Sequence, residues 1–258
     1  MTVTVHNFSY GILNPGLAYV MSCLGAFLGL RCITRARAHT GPAKAGWLIV
    51  ASVAVGATGI WVMHFIAMLG FTIPDQQIRY NVPVTLVSML VAVIVVGIGL
   101  FIVGYTDGGM LPLLAGGVII GIGVATMHYV GMAAMTMPDT VRYDNGLVAV
   151  SVLIAIVAGT AALWAGLRVR GIGSTVAASL VMGVAVTGMH YTGMAAMRVY
   201  PGGGSMLAGE SAESFLLPLL LGVSVITFLM TLVIALSPSE DEIREDASLR
   251  ERLRSTSS

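Results

Sequence analysis

The chain reads as an all-α, polytopic membrane bundle of seven transmembrane helices, and three observations lead there. Of its 258 residues 57% are hydrophobic and only 10% charged, where a soluble globular domain carries about 25% charge. The apolar residues gather into seven runs, near 13–32, 46–71, 82–104, 111–136, 147–167, 174–198 and 215–237. Each run reaches the ~20 residues that cross a bilayer. Ten-residue segments of alternating hydrophobicity are absent, so a transmembrane barrel is not supported, and helices remain as the structure that satisfies its own backbone in hydrocarbon.

The loop after the first run holds Arg31, Arg35, Arg37 and Lys44, and the loop after the fifth holds Arg168 and Arg170. With Arg244, Arg250, Arg252 and Arg254 of the tail, these ten fall on one side, against Arg79, Arg142 and Arg198 on the other. Basic loops stay cytoplasmic, so the expected N-terminus is outside and the C-terminus cytoplasmic. The expected organisation is a membrane domain over 1–237 followed by a short charged tail, 238–258. MTVTVHNFSY has no basic n-region and does not read as a cleaved signal peptide. Cys23 and Cys32, nine residues apart in the first run, fall on opposite helix faces and cannot pair within it. No basic stripe fits nucleic acid.

The second, fourth and sixth runs, which all cross from inside to outside, carry related blocks: VMHFIAML at 62–69, TMHYVGMAAM at 126–135 and GMHYTGMAAM at 188–197. His64, His128 and His190 are 64 and 62 residues apart. The loops repeat too: Pro74-Asp75 and Pro138-Asp139 each begin ten residues after a histidine, and Arg79-Tyr80-Asn81 is echoed by Arg142-Tyr143-Asp144. The chain is therefore two-helix units repeated, with one extra helix at an end. Each histidine stands seven or eight residues before the expected outer helix end, so all three belong at one depth.

An ionisable residue in the membrane is a functional hypothesis by default. Residues i, i+4 and i+7 share a helix face, which groups His128 with Met132 and Met135, His190 with Met194 and Met197, and His64 with Met68. Half of the sixteen methionines lie in these blocks. Imidazole suits several transition metals, and thioether selects Cu(I). Met63, Met127 and Met189 point about 100° away from their histidines and would serve a second ion or pack between helices. Methionine is also a common filler of apolar cores, and the Gly and Ala beside it suit close helix packing. Tyr129 and Tyr191 follow their histidines, where a hydroxyl would fix a tautomer or bond backbone. His6, outside and near the membrane, is a further possible ligand. No carboxylate or thiolate stands near, which argues against calcium, magnesium, zinc–cysteine and iron–sulfur sites.

These three blocks resemble the MHYT domain, named for the residues that stand here as Met189-His190-Tyr191-Thr192, and the resemblance covers nearly all of residues 10–237. It implies a bacterial plasma-membrane sensory module that binds copper through Met and His and through it senses oxygen, carbon monoxide or nitric oxide. By motif position the implied ligands are Met63, His64, Met68, Met127, His128, Met132, Met189, His190 and Met194. Two departures stand out. The first block has Phe65 and Ile66 in place of Tyr and Thr. Many relatives carry a fused cyclase, phosphodiesterase or kinase, and this sequence shows none, so a separate cytoplasmic signalling partner is expected. Haem held by two histidines is the alternative cofactor, and a copper transporter or chaperone the alternative role. The seventh run has no lysine for a retinal Schiff base, and no nucleophile or carboxylate pair in the membrane suggests an enzyme.

Overall fold

The computed structural model describes residues 2–106, 108–202 and 208–236. Residues 203–207 and 237–258, among them the expected charged tail, lie outside the described residues. Among the described residues seven helices are long and apolar enough to span a membrane: α1 Leu13–Ala38, α2 Gly41–Met68, α3 Val82–Gly104, α4 Met110–Ala133, α5 Asn145–Arg168, α6 Ile172–Ala196 and α7 Ala212–Ile234. The protein is a multi-pass, all-helical membrane bundle. The described residues also form five short strands: β1 Arg79–Tyr80, β2 Met135–Thr136, β3 Thr140–Tyr143, β4 Met197–Tyr200 and β5 Glu210–Ser211.

The strands correct the expected helix ends. The apolar runs continue to 71, 136 and 198, but the helices stop at Met68, Ala133 and Ala196: a turn at Leu69 and Gly70 follows α2, and strand-paired extended chain begins at Met135 and Met197 after α4 and α6. β1 pairs antiparallel with both β2 and β5, β3 pairs with β4, and His6 bridges Thr72. These pairings form a layer over one end of the bundle. The repeated Arg-Tyr-Asx motif is a strand followed by a helix cap. Asn81 accepts from the backbone N–H of Val84 at 3.1 Å, and Asp144 accepts from Gly146 and Leu147 at 2.9 and 3.1 Å. Both satisfy donors that a helix start leaves free. Asp139, of the repeated Pro-Asp pair, accepts from Gln76 Nε2 at 2.8 Å and from the Gly202 N–H at 3.0 Å. It thereby ties together the loops that follow α2, α4 and α6.

Six helices close a ring, in which α1 packs against both α2 and α6, and α2 through α5 each pack on the next. α2, α4 and α6 alternate with α1, α3 and α5 and meet one another at the histidine end. α7 packs outside the ring, against α2 and α1. There Thr58 and Thr227 join hydroxyls at 2.8 Å in a buried contact, and Arg35 Nη2 donates to the Ile234 carbonyl. At the same end of the bundle Arg37 donates to the carbonyls of Gly166 and Leu167 at 3.3 and 2.7 Å, which suits a cation at the C-terminus of α5. α2 is the most buried span. It carries π-helical turns over Ala54–Val62 and approaches α1 so closely that a Cβ on Gly25 would stand 2.3 Å from the Gly59 nitrogen. Trp61 is wholly buried there and donates to Ser88 Oγ at 2.9 Å, whereas Trp164 is exposed on the bundle surface.

Tyr80, 2% exposed at the centre of the strand layer, has its hydroxyl pushed above the usual tyrosine range by burial. A raised folded-state pKa stabilises the fold below the ordinary pKa of ~10, and that stability is lost as pH rises through the folded value. In an ultraviolet titration of the folded protein Tyr80 should ionise last, and the layer should loosen above pH ~10. In Tyr80→Phe this alkaline loss should shrink.

Candidate metal centre

The three motif helices deliver their histidines to one point on the ring axis. His64, His128 and His190 are 1%, 0% and 1% exposed, and their ring centroids are 5.0, 5.0 and 5.1 Å apart. Among the described residues they form the one group of three or more His, Cys, Asp or Glu side chains able to hold a metal ion, with donor atoms within 4.8 Å of one another. They stand four, five and six residues before the ends of α2, α4 and α6, nearer those ends than the sequence suggests, since the helices stop sooner.

The nitrogen that faces the axis is Nδ1. His64 Nδ1 lies 3.0 Å from His190 Nδ1 and 3.2 Å from His128 Nδ1. A neutral imidazole has one N–H and one lone pair, so His64 Nδ1 completes only one of these bonds at a time. All three Nε2 atoms are buried without a hydrogen-bond partner, and a buried unsatisfied group costs about 1–3 kcal/mol. Three nitrogens bound at ~2.0 Å in a trigonal plane would be about 3.5 Å apart. An expansion of a few tenths of an ångström therefore fits an ion among the three Nδ1 lone pairs, with the ring protons placed on Nε2. The donor set suits an ion, and its geometry needs little adjustment.

Two glycines hold the rings in place. A Cβ on Gly131 would stand 2.6 Å from His64 Nε2, and one on Gly193 would stand 2.3 Å from His128 Nε2. Each glycine follows a motif histidine by three residues and receives the imidazole of a neighbouring helix. The sequence offers the signal, a Gly at the same offset in two blocks, but helix packing explains such a glycine equally well. Aromatic residues support the other faces. Phe65, Tyr129 and Tyr191 each set their ring edge-on to the preceding histidine, at 4.7, 4.9 and 4.9 Å between centroids. The Tyr129 hydroxyl bonds Ser151 Oγ at 2.7 Å, and the Tyr191 hydroxyl is buried without a partner. What the three units share is the ring, which is why Phe65 can stand in the first.

The methionines surround the triad in different settings. Met63 packs with Ala18 and Ala67 between α1 and α6, beside Val186 and Tyr191. Met189 lines an apolar cavity on the ring axis, and Met68 lines a pocket of about 420 Å³ under the strand layer with Asn14, Tyr80 and Glu213. Met127, Met132 and Met194 are buried in the main core. Met135 and Met197 stand past the helix ends as the first residues of β2 and β4, so the helical i+7 spacing that grouped them with His128 and His190 does not operate. His6 is exposed and belongs to the strand layer, not to the histidine cluster. Cys23 and Cys32 are both free.

Comparison with known families supplies the frame for this centre. The model described as "Bacterial signalling protein N terminal repeat", MHYT, matches three times, over residues 58–116, 121–179 and 183–241. The chain belongs to the MHYT family. Each MHYT repeat begins in a histidine helix and runs through the helix that follows, so α1 lies before the first repeat. In the ring, α1 nevertheless occupies the place beside α6 that the second helix of the third repeat, α7, would take by analogy with α3 and α5. The chain is 33% identical over 242 residues to the bifunctional diguanylate cyclase/cyclic di-GMP phosphodiesterase MucR of Pseudomonas aeruginosa, covering 92% of this chain and 35% of that protein. It is 36% identical over 226 residues to the cyclic di-GMP phosphodiesterase NbdA of the same bacterium, covering 85% and 28%. With the signaling protein YkoW of Bacillus subtilis the figures are 30% over 187 residues, 70% and 23%. The chain thus spans about a third of the length of these relatives, or less. No solved structure matches it.

Proposed function

We propose that this MHYT module binds one cuprous ion between His64, His128 and His190, senses a diatomic gas or redox state there, and passes the change to a cytoplasmic signalling partner. The observation that carries this reading is the convergence of three buried Nδ1 atoms within a bundle whose described core offers no carboxylate. Bound there, a cuprous ion would supply a redox-active centre with affinity for small neutral gases. The charge of the site supports a monovalent ion. Three neutral imidazoles cancel none of the ion's charge, and the cost of a charge in low dielectric rises with its square, so +1 is far less costly than +2. The close packing of the rings supports an ion over haem, since a macrocycle must lie between its axial ligands.

The orientation expected from Lys and Arg puts the triad and strand layer outside and the arginines at the ends of α1 and α5 in the cytoplasm of a bacterial plasma membrane. In this reading the rings are where α2, α4 and α6 meet, so a change in nitrogen separation alters the spacing of three helices at once. α2 carries that change toward α7 through Thr58 and Thr227. The names of MucR and NbdA support an output concerned with cyclic di-GMP.

Elemental analysis and an absorption spectrum of the same purified sample test the proposal. The expected result is close to one copper per chain and no Soret band. Iron with a Soret band, or no metal after loading with Cu(I), would overturn it.

A further inference from the structure

Directly below the triad, on the side away from the strand layer, the ring encloses an apolar cavity of about 50 Å³. Its position follows from the helix period. Ile60, Val124 and Val186 all line it, and each precedes a motif histidine by four residues, one helical turn. Met189, next to His190, lines it as well. All six ring helices contribute to the wall and α7 does not, and every lining residue is Ala, Gly, Val, Leu, Ile or Met.

The size and chemistry of this space restrict its occupant. One water needs about 10–15 Å³ of such volume and two to four polar partners. The cavity has room for a few water-sized particles and no polar side chain among its lining residues to hold them. Cavities of this kind stay dry and take up xenon or small apolar molecules. An ion has no ligand in it, and an acyl chain is too large.

We infer that this cavity, which begins one helical turn from the three histidines, is a docking site for a neutral diatomic gas dissolved in the bilayer. Such molecules partition into hydrocarbon, and the surrounding bundle is immersed in it. The role of the cavity as a waiting site for the triad rests on the metal reading above; its capacity for a small apolar guest does not.

Xenon separates the two, because it has no chemistry with a metal. Crystals of the metal-free protein under xenon pressure should show an anomalous peak between Ile60, Val124 and Val186. Val124→Phe should abolish that peak, and Ile60→Ala, which enlarges the space, should strengthen it. A cavity that stays empty, or one filled by ordered water or lipid, would overturn the inference even in a protein that binds copper. In the copper-loaded protein Val124→Phe should slow carbon monoxide association at least tenfold without loss of copper, and an unchanged rate would remove the cavity's service to the triad. Xenon in the cavity of a protein that takes up no metal would leave the docking site standing and sink the metal reading.

Discussion

Replacing His64, His128 and His190 together by alanine should abolish copper binding, and with it the stabilisation that copper gives. A ligand that binds the folded state alone adds about 2.7 kcal/mol when present at roughly 100 times its Kd. The parent protein should therefore melt at a higher temperature with Cu(I) than without it, and the triple variant should show the same temperature in both. The variant should still fold, because it also removes three Nε2 atoms that are buried without partners, which offsets part of the lost packing. Single replacements leave two converging nitrogens and should weaken binding by more than the ~10–100-fold typical of displaced supporting residues, without abolishing it. Equal copper content in the parent and the triple variant would show that the ion, if any, sits elsewhere.

Gly193→Ala should cost nearly as much as losing a histidine, and Gly131→Ala somewhat less. The added methyl carbon would lie 2.3 Å from His128 Nε2 in the first and 2.6 Å from His64 Nε2 in the second, so the ring must shift by about 1 Å to reach an ordinary contact. Metal–ligand distances tolerate about 0.2 Å. The Nε2 edge is opposite Nδ1, so a push there moves the donor atom directly. Copper affinity should fall at least 10–100-fold. This runs against backbone preference, since Gly→Ala within a helix ordinarily stabilises by ~0.5–1 kcal/mol. Gly188→Ala, on the same helix as Gly193 and with nothing within 4 Å of its added carbon, provides the control and should leave copper binding unchanged. Titration of Cu(I) against a competing chelator measures all three. Unaltered affinity in Gly193→Ala would mean that the imidazoles are not held by this contact.

The seven spans, the three histidine helices and the repeat are all legible in the chain, because each depends on local patterns; the repeated Arg-Tyr-Asx motif is legible as well, but its service as a helix cap at Asn81 and Asp144 is not. Hydrocarbon leaves an apolar run no backbone structure but a helix, and the 64- and 62-residue spacings place the histidines at one level. The helix ends are less legible: an apolar residue serves equally in a last helical turn or in a buried strand, as Met135 and Met197 do. What only the tertiary structure decided is the rotation and order of the helices around the axis. These helices are apolar on nearly every side, so their sequences carry little record of which side turns inward. That rotation aims Nδ1 and not Nε2 at the axis, seats His64 and His128 on Gly131 and Gly193, and leaves a cavity beneath Ile60, Val124 and Val186. The order of packing, which closes the ring with α1 and leaves α7 outside, is likewise absent from the repeat, since α7 follows its histidine helix in sequence just as α3 and α5 do. Composition and periodicity determine how each segment crosses the membrane; close packing between segments, set by contacts of two or three ångströms far apart in sequence, determines what they hold.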